Sequence, residues 1–245
     1  MKIDTTLTNI LNYTKPLLYD TDYEGYQYAN AGSCFLLKWK KKLYIISAKH
    51  CFDKHSVQAK NIMYPIPNSE YHLGINNQFD INSQEEYADQ VILEVKLDTQ
   101  SKVLFDSSTI IDLSYPTSII SFDDSKISDI YIRGFPLNND NHDIKHEERK
   151  IQQQAYLTNG LIKTRKSNDD DCFYLKMKHP TYNYTLENND DNAKQANGMS
   201  GSPVYAIDIN SNIYFVGIII KYNKITSEYL VINAHITREF ISKAY

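Results

Sequence analysis

Residues 195–205 read Gln-Ala-Asn-Gly-Met-Ser-Gly-Ser-Pro-Val-Tyr, with two glycines and two serines crowded around Met199 just before an apolar run. A plain turn needs a glycine; it has no use for Gly-x-Ser-Gly-Ser-Pro. A glycine two places before Ser200 lets the chain curl so that two amides point at one spot. A glycine after it keeps the backbone close to its neighbours. Acyl transfer asks for such a loop, with a hydroxyl nucleophile and backbone N–H groups aimed where negative charge develops. It also asks for a histidine to take the hydroxyl proton and a carboxylate to hold the imidazole in the right tautomer.

Candidates for both lie upstream. Ser47-Ala48-Lys49-His50-Cys51 follows the apolar run Leu43–Ile46, which puts His50 at a strand end. Ala88-Asp89-Gln90 leads into Val91-Ile92-Leu93-Glu94-Val95. Asp80 and Asp98 lie nearby, but only Asp89 opens an apolar strand. The chain order His, Asp, Ser is one of those in which this chemistry has arisen.

The rest of the chain is a series of short apolar runs broken by turn residues. Ser33–Trp39 and Leu43–Ser47, joined by three lysines, read as a hairpin. Val91–Leu97, Asp129–Arg133, Phe173–Met177, Val204–Ile207, Ile213–Ile220 and Glu228–Ile232 read as further strands. Helical periodicity is confined to Ile236–Ala244, where Ile236, Phe240 and Ile241 share a face, and to a short stretch in the first twelve residues. Many strands with few helices predict an all-β protein. The Ser/Asp-rich stretch Asp112–Ser128 is the best candidate for a link between two halves. Ser167–Asp171 and Glu187–Asn192 read as surface loops.

Taken together, these blocks resemble the trypsin-like (chymotrypsin-fold) serine proteases of bacterial type. SAKHC is similar to the family's histidine block, DQVILEV to its aspartate block, and GMSGSPV to its serine block, in the Ser-Pro form of the V8-type glutamyl endopeptidases. Gly32-Ser33-Cys34-Phe35-Leu36, Ile132-Arg133-Gly134-Phe135-Pro136 and Val216-Gly217-Ile218 resemble three flanking strands in the family's order. The resemblance runs from about Ala29 to the C terminus. It implies two six-stranded antiparallel β-barrels with a C-terminal helix. The expected division is an N-terminal segment 1–28 packing on the barrels, a first barrel 29–120 carrying His50 and Asp89, and a second barrel 121–245 carrying Ser200. It implies a serine endopeptidase acting through an acyl-enzyme, with Ser200 as nucleophile, His50 as general base then acid, and Asp89 orienting His50. The N–H groups of Gly198 and Ser200 would form the oxyanion hole. The substrate pocket would have its base near Lys194 and its wall at Ile219, Ile220, Lys221 and Tyr222, an environment suited to acidic or polar side chains and not to Arg or Lys. The alternative is a protease-fold binding module that is catalytically silent or awaits a partner.

Two departures carry expectations of their own. Position 199 is Met, where digestive trypsins place an aspartate that pairs with a freshly cut N terminus. That activation switch is therefore not expected, and the enzyme is either shaped from the start or ordered by a regulatory protein partner. Cys51 follows the histidine as in secreted trypsins, but on the family alignment Cys34 is four residues from its partner position. That is about 13 Å along a strand, against the 4.4–6.8 Å Cα separation that a disulfide needs. No Cys34–Cys51 bridge is expected.

Bulk properties bound the partners. The 245 residues, 42% apolar, are enough for one large domain or two small ones. A net charge of −4 leaves no basic field for nucleic acid. No apolar stretch is long enough to cross a membrane as a helix. MKIDTTLTNI lacks the apolar run and cleavage site of a secretory leader, and three cysteines are few and odd, so a cytoplasmic protein with reduced thiols is expected. His142 and His146, beside Asp143, Glu147 and Glu148, would share a helix face and could hold a metal. No third ligand is evident, and the stretch reads better as an exposed charged loop. Neither metal nor cofactor is expected, and the expected partner is a protein or peptide substrate.

Overall fold

The computed structural model describes residues 9–21, 23–24, 28–65, 72–81, 83–98, 110–115, 126–137, 142–145, 150–153, 155–158, 160–166, 171–177 and 197–243. The first half contributes β1 (Thr14–Asp20), β2 (Tyr28–Trp39), β3 (Lys42–Ser47), β4 (Ile62–Pro65), β5 (His72–Leu73), β6 (Ile75–Asp80) and β7 (Val91–Val95). The second contributes β8 (Ile127–Gly134), β9 (His142–Lys145), β10 (Lys150–Gln153), β11 (Tyr156–Thr158), β12 (Leu161–Lys166), β13 (Cys172–Met177), β14 (Pro203–Asp208), β15 (Ile213–Asn223) and β16 (Glu228–Asn233). A short helix, Lys49–His55, follows β3, and a longer one, Ala234–Lys243, follows β16.

Fourteen of the sixteen described strands form two antiparallel sheets, ordered β5-β4-β1-β2-β3-β7-β6 and β11-β8-β14-β15-β16-β13-β12, and β9 pairs with β10 in a third. The expected all-β fold with a C-terminal helix is what the chain forms. Each of the first two sheets counts seven strands where six were expected. The additions are small, since β5 has two residues and β11 three. Segment 1–28 does more than pack on a sheet: β1 sits inside it, between β4 and β2. The link also begins later than composition implied. Lys38 donates to Ile111 O and accepts from Leu113 N–H, both at 2.9 Å, and Ile110 and Leu113 are buried. Residues 110–113 therefore extend the first half, and 116–125 lie outside the described residues. Residues 142–145 form a strand paired with β10, not a loop or a helix.

The hydrophobic pattern explains why the two sheets meet. A strand buried on both faces reads as an unbroken apolar run, because neither set of alternating side chains reaches water. Cys34-Phe35-Leu36-Leu37 and Leu43-Tyr44-Ile45-Ile46 are such runs, and all eight residues are buried. Leu36, Leu43, Ile45, Val91 and Leu93 point into the first sheet's core. Phe35, Leu37, Tyr44, Ile46 and Ile92 point the other way, onto Tyr131, Tyr205, Phe215 and Ile218 of the second. At the centre of that interface the rings of Phe35 and Phe215 lie 5.4 Å apart. The second sheet wraps a core of its own, built from Ile130, Ile132, Phe173, Leu175, Val204, Val216 and Val231. The C-terminal helix is bound to the first half by a buried bond, Thr237 Oγ1–H to Gln90 Oε1 at 2.9 Å. The three cysteines are free and buried.

Candidate active site

His50 is the second residue of the helix that follows β3, and Asp89 closes a one-turn 3₁₀ helix just before β7. β3 and β7 are neighbours, with Ser47 opposite Val91, so the two strand ends carry these residues together. The Asp89 carboxylate uses both oxygens. Oδ1 accepts the His50 backbone N–H at 2.9 Å, and Oδ2 lies 2.7 Å from His50 Nδ1. Amides at a helix start lack intrahelical acceptors. Ala48, at the cap position, supplies none from its side chain, so Asp89 caps the helix while it orients the ring. The hydrogen bond that His50 makes to Asp89, and after it that with Cys51, hold the imidazole pKa up to about 10, against the opposing effect of burial. Gln90, anchored by the C-terminal helix, bonds Tyr87 O at 3.1 Å and stiffens the backbone beside Asp89.

Ser200 reaches the same place from the second sheet. Ser33 N–H, in β2, donates to Ser200 O at 2.9 Å, and Gly201 N–H donates to Ile219 O at 2.8 Å. Gly198 and Gly201 both have positive φ, +95° and +86°. A Cβ at Gly198 would lie 2.6 Å from Leu137 N and from Phe135 O, and one at Gly201 would overlap Ser33 O. Both glycines are therefore required by conformation and by space. Met199, between Gly198 and Ser200, is fully buried in the second core and anchors the loop by apolar contact.

Carbonyl contacts set the direction of the two amides of interest. In a trans peptide the C=O and the next N–H point opposite ways. Asn197 O accepts Leu137 N–H at 2.7 Å, which turns Gly198 N–H away from Leu137; Met199 O accepts Ser202 N–H at 2.9 Å, which turns Ser200 N–H outward in the same manner. Neither amide has an acceptor among the described residues. The Ser200 hydroxyl donates to Ile220 O at 3.3 Å, and no bond joins it to His50 among the described residues.

Cys51, next to His50, has its Sγ 4.0 Å from Ser200 O, so the His50–Asp89 pair and the Gly198–Ser200 loop lie side by side across the two sheets. Of the expected pocket residues, Ile220 presents its carbonyl to Ser200 while its side chain is buried; Lys221 is exposed; and Tyr222 is half-buried, its ring 4.8 Å from that of Tyr229. Lys194 lies outside the described residues. The position facing Cys51 is Gly32, where a Cβ would lie 2.8 Å from Cys51 Sγ. Cys34 lies two residues further along β2, and both thiols are free. The reading of the residues overlooked Ser33 and Ser47, although the Gly-Ser pair at 32–33 was its own signal. Ser47 Oγ donates to Ser33 O at 2.7 Å, and Ser33 Oγ donates to Gly198 O at 2.8 Å.

No protein-family model and no curated protein matches the chain. Solved structures do. A thermostable serine protease from an extremophilic microorganism aligns over 96% of this chain and 98% of its own, at 8% identity and a TM-score of 0.58. A Glu endopeptidase aligns over 100% and 95%, at 19% identity and 0.52. An inactivated protease paralogue of the scabies mite aligns over 99% and 93%, at 11% identity and 0.54. At such identities the likeness concerns the backbone, and one of the three is described as inactivated. The chain has the fold of the chymotrypsin-like serine proteases.

Proposed function

We propose that the protein is a serine endopeptidase that cleaves protein substrates through an acyl-enzyme. The observation that carries this reading is the contact of Cys51 Sγ, next to His50, with Ser200 O at 4.0 Å, which sets the His50–Asp89 pair beside the Ser200 loop. His50 takes the Ser200 proton as the hydroxyl attacks the scissile carbonyl, and Asp89 holds the imidazolium so formed. The N–H groups of Gly198 and Ser200 take the oxyanion. His50 then returns the proton to the leaving amine, and a water repeats the sequence to release the acid.

Beyond Ile219 the strand β15 pairs on one side alone, Lys221 with Leu230, Tyr222 with Tyr229 and Asn223 with Glu228. Its other edge carries no strand among the described residues. An extended peptide adding to that edge would run past Ser200, whose hydroxyl touches Ile220 O. The exposed ammonium of Lys221 favours acidic or polar side chains near the cut, in line with a V8-type preference; a peptide library cleaved strongly after Arg or Lys would sink that part.

A second reading is kept for one observation. The Ser200 hydroxyl is bonded to Ile220 O and not to His50 among the described residues, and the bond to Asp89 favours the charged imidazole. That is a resting arrangement, compatible with a latent protease ordered by a partner or with a silent binding module. We propose that the protein acts in the cytoplasm of a bacterial cell, with a first barrel that takes in β1 and runs to about residue 120 and a second in 121–245. A fluorophosphonate probe separates the readings. The enzyme is labelled as wild type and not as Ser200→Ala; a wild type that stays unlabelled, alone and in lysate, removes the proposal. Terminal sequencing of a proteome exposed to both forms then gives substrates and cleavage preference.

A further inference from the structure

We infer that Ser33 is a positioning residue for the oxyanion loop, acting across the interface between the two sheets; this rests on the serine-protease reading. Glycine crosses between backbone basins cheaply, so the Gly198 amide keeps its direction only if the peptides on both sides of it are held. Leu137 N–H holds the preceding carbonyl, Asn197 O, at 2.7 Å. The following carbonyl, Gly198 O, is held by the Ser33 hydroxyl at 2.8 Å.

That hydroxyl is itself directed. Ser33 is fully buried, and its Oγ accepts the Phe135 N–H at 2.9 Å. With one lone pair so engaged, its proton is left for Gly198 O. The Ser33 backbone is bound as well, its N–H to Ser200 O at 2.9 Å and its C=O to Ser47 Oγ–H at 2.7 Å. One residue of the first sheet thus grips the loop on both sides of Met199, and it does so against the strand end Phe135–Leu137 that cradles Gly198. Alanine at 33 would leave Gly198 O and Phe135 N–H, both buried, without this partner. Buried backbone groups rarely go unpaired, so the peptide is expected to rotate and spoil the aim of the Gly198 amide. The consequence falls on the transition state, because the ground-state carbonyl does not need that amide as the oxyanion does.

The test compares wild type and Ser33→Ala, with folding verified by circular dichroism, by fluorophosphonate labelling rate and by steady-state cleavage of a peptide selected on the wild type. Labelling and kcat should fall roughly ten- to a hundredfold, less than the full loss of an oxyanion donor, with KM changed less than about twofold. Inhibition by a peptide boronate, which mimics the tetrahedral state, should weaken in proportion to kcat. An unchanged kcat, or a loss confined to KM, overturns the inference. If Ser33→Ala does not fold, Ser33→Cys, whose larger thiol is a weaker donor at the same place, should still show a fall in kcat, and its absence overturns the inference equally. Amide exchange reads the same grip without turnover: the Phe135 and 198–200 amides should exchange faster in the variant, and unchanged exchange is a contrary result even if the wild type proves inactive. A wild type that never labels defeats the protease reading and leaves the exchange result standing by itself.

Discussion

The two halves of the site are held by different means. His50 and Asp89, both in the first half of the chain, meet through two bonds to one carboxylate, at 2.7 and 2.9 Å. Ser200, in the second half, is placed through backbone contacts: two positive-φ glycines, carbonyls pinned by Leu137, Ser202 and Ser33, and a buried Met199. The acid–base half depends on which functional groups are present. The nucleophile half depends on which backbone shapes are allowed. Conservative changes should therefore damage the first through chemistry with the fold intact, and the second through geometry.

Substitutions probe this contrast from the largest effect down. Ser200→Ala removes the nucleophile and should lower kcat by about 10⁶, with an unchanged melting temperature, as read by peptide cleavage and calorimetry. Asp89→Asn keeps the shape but favours the wrong histidine tautomer, and should cost about 10⁴ in kcat. Gly198→Ala adds one methyl against Leu137 N and Phe135 O. It should cost about 10²–10³ in kcat, the size of a lost oxyanion donor, with all three catalytic side chains in place. If Gly198→Ala is harmless while Asp89→Asn is not, backbone shape is not what sets the nucleophile half.

The pH dependence addresses the acid–base half alone. The neutral imidazole is the base, so kcat/KM should rise with pH through a midpoint displaced above the usual histidine range, toward about 10. Asp89→Asn removes the largest cause of that displacement and should lower the His50 midpoint, as read by NMR titration of the ring. Stability runs the opposite way. The charged His50–Asp89 contact contributes fully below the unfolded histidine pKa, near 6.5, and is lost as pH rises through about 10. The smallest expected effect is that of reductant. With Cys34, Cys51 and Cys172 free, dithiothreitol should leave the melting temperature unchanged.

Some of this was legible in the residues. His50, Asp89 and Ser200 each sit at the mouth of an apolar strand, and strand ends are where a sheet delivers side chains to a shared edge. Asp112 misled because its charge reads as linker, while Ile110 and Leu113 on either side are buried beside β2. His142 differs in another way: its stretch reads as an exposed charged loop, but residues 142–145 pair as a strand with β10, and His146 lies outside the described residues.

What the sequence determined by itself was local: strands from short apolar runs, the turn chemistry of Gly198 and Gly201, and a histidine, an aspartate and a serine in an order that suits the proposed chemistry. What only the tertiary structure decided was every contact between the halves. Ser33 lies 165 residues from Gly198, and Gln90 lies 147 from Thr237. A serine that will bond a distant carbonyl reads no differently from one in any other buried strand. Its partner is set by how two sheets dock, a result of summed apolar packing across the Phe35–Phe215 interface that no short stretch of residues encodes.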